Sequence, residues 1–140
     1  MLKVVLDTNQ FISGAISKEG PPARLLKAWR EHAYIIITSR EILKEIERVL
    51  RYPRIKKKYR LKDEEIKSIL ALIEHEAVVL PEIPQIDVIK EDPDDNKILA
   101  CALEVKANYI VSGDRHLLNL GRYKKTIILT ARDFLKVIKE

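Results

Sequence analysis

Short stretches in which apolar residues follow one another without alternation recur along the chain. They are residues 2–6, "YIIIT" at 34–38, "AVVL" at 77–80, "YIVS" at 109–112 and "TIIL" at 126–129. All five predict strands, and residues 2–6 read as one covered on both faces, as in a parallel sheet wrapped by helices, because their apolar residues run on rather than alternate. Between them the hydrophobic period lengthens to three or four residues. Leu25, Leu26 and Trp29 follow a Gly-Pro-Pro breaker at helical spacing. Ser39 offers an N-cap to the helix "REILKEIERVLR", which Pro53 is expected to end. A second long helix begins at Asp63, read as its N-cap, with Ile66, Ile69, Leu70 and Ile73 as its stripe. A helix from about Asp94 to Ala107, a short one around Leu117 and a closing one in "ARDFLKVIKE" complete the set. "PEIPQIDVIKEDPDDN" reads as an irregular acidic loop.

Strands separated by helices predict the α/β class, here a three-layer α/β/α sandwich with a mostly parallel central sheet. Right-handed crossovers then bring every parallel strand's C-terminal end to one edge of the sheet, where ligands bind in such folds. At 140 residues the chain is expected to form one domain.

Composition narrows the setting. No apolar run approaches the roughly 20 residues that span a membrane, and the N-terminus lacks a signal-peptide pattern. A single cysteine, Cys101, allows no intrachain disulfide, so a reducing cytoplasm is the expected compartment. The net charge of +5 leans toward a polyanionic partner. Its densest part is "RIKKKYRLK" at 54–62, with six basic side chains around Ile55, Tyr59 and Leu61. That segment reads first as a solvated helix turn docked by its apolar residues, and as a phosphate-contacting patch only beside a nuclease-like site.

The acids carry the chemistry. Asp7 ends the first strand and Asp114 follows the fourth, positions where a carboxylate beside a buried run has no evident capping role. Asp95, in the first turn of the helix feeding the fourth strand, falls within the arc of Ile98, Leu99, Ala102 and Leu103. Glu45 borders the stripe of Ile42, Ile46 and Val49, although Glu47 borders its other flank equally well. Asp92 and Asp94 read first as helix-end chemistry, with Asp92 an N-cap before Pro93. Two carboxylates about 4 Å apart repel by roughly 4 kcal/mol at an effective dielectric of 20. Four converging acids therefore call for a cation, and an all-oxygen set without Cys or His suits one or two Mg²⁺ or Mn²⁺ ions. Such ions at a sheet edge favour phosphodiester hydrolysis. His116, two residues past Asp114, reads first as a solvated loop histidine and second as a phosphate contact, Cys101 as a core filler, and Phe11, Trp29 and Tyr34 as packing.

"VVLDTN", "EILKEI", "DDNKILACA" and "YIVSGD" together resemble the PIN-domain ribonucleases, and among them the VapC-like toxins of prokaryotic toxin–antitoxin pairs. The resemblance runs from residue 2 to the closing strand and helix, and it implies one PIN-like nuclease domain over residues 1–140. It implies Asp7 and Asp95 as leading metal ligands, Asp114 as a direct or water-mediated one, and Glu45 as a holder of a second ion or of the attacking water. Asn9 and Ser112 would support these carboxylates or phosphate by hydrogen bonds, and Asp92 would be an extra acid near the edge. Ser112 stands where many members carry Thr, which keeps the hydroxyl. The implied activity is a Mg²⁺- or Mn²⁺-dependent endoribonuclease acting on RNA, restrained by an antitoxin protein and commonly a homodimer. The alternative is a catalytically silent PIN-like module that binds RNA or dimerises. A haloacid dehalogenase-type phosphatase would need a second acid where Asn9 stands. A receiver domain would need an acidic pair near the first strand and an Asp after the third.

Overall fold

The structure is a computed structural model describing residues 1–139. Its centre is a six-stranded sheet in the order β3-β2-β1-β4-β6-β5. The strands are β1 (Lys3–Leu6), β2 (Ile35–Ser39), β3 (Val78–Leu80), β4 (Tyr109–Val111), β5 (Arg122–Tyr123) and β6 (Thr126–Leu129). All pairings are parallel except β5 with β6. Val4, Val5 and Leu6 point alternately to the two faces of the sheet, yet none is exposed, so both faces are covered. The unbroken apolar run of β1 has this physical origin, whereas β3, at the edge of the sheet, leaves Val78 exposed. The fold is α/β with a mostly parallel central sheet, as the alternation of elements leads one to expect.

The helices are α1 (Thr8–Ile16), α2 (Pro21–Arg30), α3 (Arg40–Leu50), α4 (Pro53–Lys58), α5 (Asp63–Glu76), α6 (Asp95–Val105), α7 (Arg115–Leu120) and α8 (Ala131–Val137). Ser39 caps α3, its hydroxyl accepting the Ile42 N–H at 3.2 Å. Pro53 does not end α3. Arg51 already closes that helix, and Pro53 opens α4 at its first turn, where a missing N–H costs nothing. Nor does Asp63 cap α5. Lys62 holds the cap position, its N–H bonded to the Glu65 carboxylate, while Asp63 pairs with Lys56 at 2.7 Å. In the basic segment, Ile55 and Leu61 are half-buried and Tyr59 is exposed. Phe11, Trp29, Tyr34 and Cys101 lie in the core, the Cys101 thiol pushed up to about 12 by burial. Among the described residues no helix is long and apolar enough to cross a membrane.

The strand order determines where a site can form. From β1 the chain moves outward to β2 and β3, then returns through α6 to β4 on the other side of β1. Open α/β sheets bind ligands where the order reverses in this way, beyond the strands' C-terminal ends. Leu6 pairs with Val111 in the β1–β4 register, and the Asp7 N–H donates to the Val111 carbonyl at 3.0 Å.

Candidate functional site

At that edge a cleft of about 120 Å³ is walled by Asp7, Glu45, Asp92, Asp95 and Asp114, with Lys97 and Asn9 beside them. Segments far apart in sequence thus contribute carboxylates to one small volume. Larger hollows lie elsewhere. One of about 640 Å³ between α1, α2 and α5 has an apolar floor of Phe11, Leu26 and Ile73, and it gathers no cluster of acids.

Each acid has its own support. Asp7 sits at the N-cap position of α1 but makes no side-chain capping bond, so its carboxylate is left for the cleft. It is 6 % exposed. The buried Ser112 hydroxyl donates to Asp7 Oδ2 at 2.7 Å and accepts the Asp114 N–H at 2.9 Å, joining the ends of β1 and β4 through one oxygen. Burial raises the Asp7 carboxyl above its ordinary value. The Ser112 hydrogen bond opposes this, and the charges of Asp114 and Glu45 add to the rise.

Asp95 carries the largest perturbation. It is 6 % exposed, and its Oδ2 is buried without a hydrogen-bond donor. Burial, a hydrogen bond with Asp114 and the charges of Asp114, Asp92 and Asp7 push its carboxyl up to about 8. Asp114 does have a capping role, contrary to the sequence reading, because its Oδ1 accepts the His116 and Leu117 N–H groups at the start of α7. Asp92 moves the other way. No side-chain cap forms at the start of α6, and Asp92 instead joins Asp95, Asp114 and His116 in a group whose ligand atoms lie within 4.8 Å of one another.

Three residues of this region have roles that the sequence did not assign to them. His116 is no solvated loop residue, since its Nδ1 is buried 3.6 Å from Asp114 Oδ1 with no hydrogen-bond partner. The cluster therefore includes an imidazole and is not all-oxygen. Lys97 Nζ meets Glu45 Oε2 at 2.6 Å on the cleft wall. Burial alone would lower the Lys97 ammonium, but the Glu45 hydrogen bond and the charges of Glu45 and Asp94 outweigh it and hold the group above its ordinary value. This contact separates Glu45 from Glu47, which pairs instead with Arg51. Asn96 fastens the acidic loop: its Oδ1 accepts the Val88 and Ile89 N–H groups, and its Nδ2 donates to the Ile89 carbonyl. Its spacing of one residue from Asp95 was the only cue available in sequence. Asn9 lines the cleft from an exposed position.

The donor set fits a divalent cation. An orphaned buried carboxylate oxygen amid like charges is costly unless a cation or a proton meets it. Carboxylates with one imidazole are ordinary ligands of such ions.

Residues 3–116 match the model of a family described as the PIN domain. An uncharacterized protein of Methanocaldococcus jannaschii is 36 % identical over 119 residues, covering 85 % of this chain and 75 % of that protein. With the mostly parallel sheet and the acidic cluster at its switch point, these likenesses show that the chain belongs to the PIN-domain family, whose members are typically metal-dependent nucleases.

Proposed function

We propose that this protein is a Mg²⁺- or Mn²⁺-dependent endoribonuclease that hydrolyses RNA phosphodiester bonds, and that it serves as the toxin of a toxin–antitoxin pair. The observation that carries the nuclease reading is Asp95, a buried carboxylate with an unpartnered oxygen, clustered with Asp92 and Asp114. One or two divalent ions held by Asp7, Asp92, Asp95 and Asp114 would activate water and neutralise charge on the scissile phosphate. The chain's own groups do the positioning. Ser112 fixes the Asp7 carboxylate, so its lone pairs stay aimed at the cleft without reorganisation. Lys97 holds the Glu45 carboxylate in the wall of the cleft, where it could orient a water. The cleft is small, so a phosphate with its flanking riboses must lie across its mouth while the acids act from below. The net charge of +5 helps a polyanion approach an otherwise acidic site.

The test is cleavage of single-stranded RNA by purified protein with Mg²⁺ or Mn²⁺, its loss on adding EDTA, and its loss in Asp7→Asn with an unchanged circular dichroism spectrum. RNA binding without cutting under either ion would leave the silent binding module as the function. The toxin role has a separate test. Expression in a host should arrest growth, and co-expression of the protein encoded by the adjoining reading frame should relieve it.

A further inference from the structure

We infer that His116 is a nitrogen ligand of the bound cation and that it tilts the site toward Mn²⁺ over Mg²⁺. The inference rests on the metal-dependent reading above and adds a residue and an ion preference to it. Two independent observations carry it. Asp95 is 6 % exposed, belongs to the cluster and has a buried Oδ2 without a hydrogen-bond partner, so a cation or a proton is needed beside it. On the other side, the His116 Nδ1 is buried and also without a partner.

A hydrogen bond to the neighbouring acid does not account for this imidazole nitrogen. Nδ1 stands 3.6 Å from Asp114 Oδ1, too far for a hydrogen bond. That same Oδ1 is already occupied by the His116 and Leu117 N–H groups. The backbone bond from His116 N to Asp114 Oδ1, at 2.8 Å, sets the first turn of α7 and with it the start of the imidazole side chain. Asp92, Asp95, Asp114 and His116 thus present four ligand atoms within 4.8 Å, about the width of one ion's coordination sphere at bond lengths of roughly 2.1–2.2 Å. Glu45 is engaged by Lys97 and is not in this group.

The chemistry of the donors then sets the preference. Mg²⁺ takes oxygen ligands and gives up water reluctantly, so an imidazole does little to hold it. First-row transition ions accept imidazole nitrogen readily, and three carboxylates keep Mn²⁺ within the range of the site.

Two measurements on the full chain, stripped of metal and reloaded, decide the matter. Calorimetric titration should show Mn²⁺ binding about tenfold or more tighter than Mg²⁺. His116→Gln should lose about tenfold in Mn²⁺ affinity while Mg²⁺ affinity moves by no more than about threefold. Electron-spin-echo envelope modulation of the Mn²⁺-loaded wild type should detect a directly bonded nitrogen, absent in the variant. A wild-type spectrum without nitrogen coupling overturns the inference, as does an equal loss of both ions in the variant. Should His116→Gln fail to fold, the wild-type spectrum decides alone. Nitrogen coupling without RNA cleavage would sink the nuclease reading and leave the ligand in place, whereas metal-dependent cleavage without coupling would do the reverse.

Discussion

Replacing Asp95 by Asn isolates the electrostatic cost of assembling the acidic site. The substitution keeps shape and volume, removes one negative charge and supplies an amide donor to the neighbouring carboxylates. The clustered ligand atoms lie within 4.8 Å, where one like-charge pair costs roughly 3–4 kcal/mol at an effective dielectric of about 20. In the folded chain the Asp95 carboxyl is raised from 3.8 to about 8. The folded state therefore holds this proton more tightly than the unfolded chain does. The stability so contributed is complete below about pH 3.8, is lost as the pH climbs, and stops changing above about pH 8. The slope reaches at most about 1.36 kcal/mol per pH unit, or about 2.7 kcal/mol between about pH 5 and 7. Water entering the cleft reduces this to about 1–2 kcal/mol. For a chain of this size that is about 3–6 °C in Tm.

The assay is thermal melting followed by circular dichroism, in EDTA, across that pH interval. Wild-type Tm should fall as the pH rises, and Asp95→Asn should flatten the profile and melt higher near neutral pH. Asp7, also raised by burial, leaves a smaller slope of the same sign. Asp63 and Glu74 are held below their ordinary values by Lys56 and Arg40, so they titrate at more acid pH than this window. Divalent ion should restore the wild type at about pH 7 by mass action and help the variant less. A variant that melts below wild type near neutral pH, or a wild-type Tm that climbs with pH, refutes the reasoning.

Other expectations follow from single contacts. Ser112→Ala removes the hydroxyl that joins Asp7 to the Asp114 N–H, so it should cost about 1–3 kcal/mol in denaturant titrations and weaken divalent-ion binding. Asn96→Ala should free the acidic loop, seen as faster hydrogen exchange at the Val88 and Ile89 amides with a stability loss of about 2–4 kcal/mol. Exchange at those amides unchanged from wild type would dismiss the fastening role. Gly14→Ala would normally favour a helix, yet an added Cβ would lie 2.7 Å from both Leu26 Cδ1 and the Pro22 carbonyl oxygen. Overpacking of the α1–α2 contact should therefore lower stability by about 1–3 kcal/mol, and a gain in Tm would contradict it.

The layered α/β architecture was legible because burial on both faces leaves its mark on successive residues of the central strands. Val4, Val5 and Leu6, or Tyr109, Ile110 and Val111, need no partner's identity to read as interior strands. The Ser39 cap was equally local, a hydroxyl meeting an N–H three residues on. Short or compensated features left no such mark. β5 is two residues long, and its antiparallel pairing with β6 follows from the tight turn between them. Pro53 is as suited to opening a helix as to following one, and only the course of the chain selects the first.

The sequence by itself determined which segments are interior, and it placed Asp7, Asp95 and Asp114 where parallel topology sends strand ends and helix starts. Tertiary structure decided what each acid does there. Asp92, read first as helix-end chemistry, joined the ligand cluster, and Asp114 kept its place there while also capping α7. Glu45 was separated from Glu47 only by the approach of Lys97, 52 residues away. The reason is physical: periodicity records how much of a side chain is buried, a property averaged over its surroundings. A site depends on which few atoms come within hydrogen-bond or coordination distance, and that is set by packing between segments that are strangers in sequence.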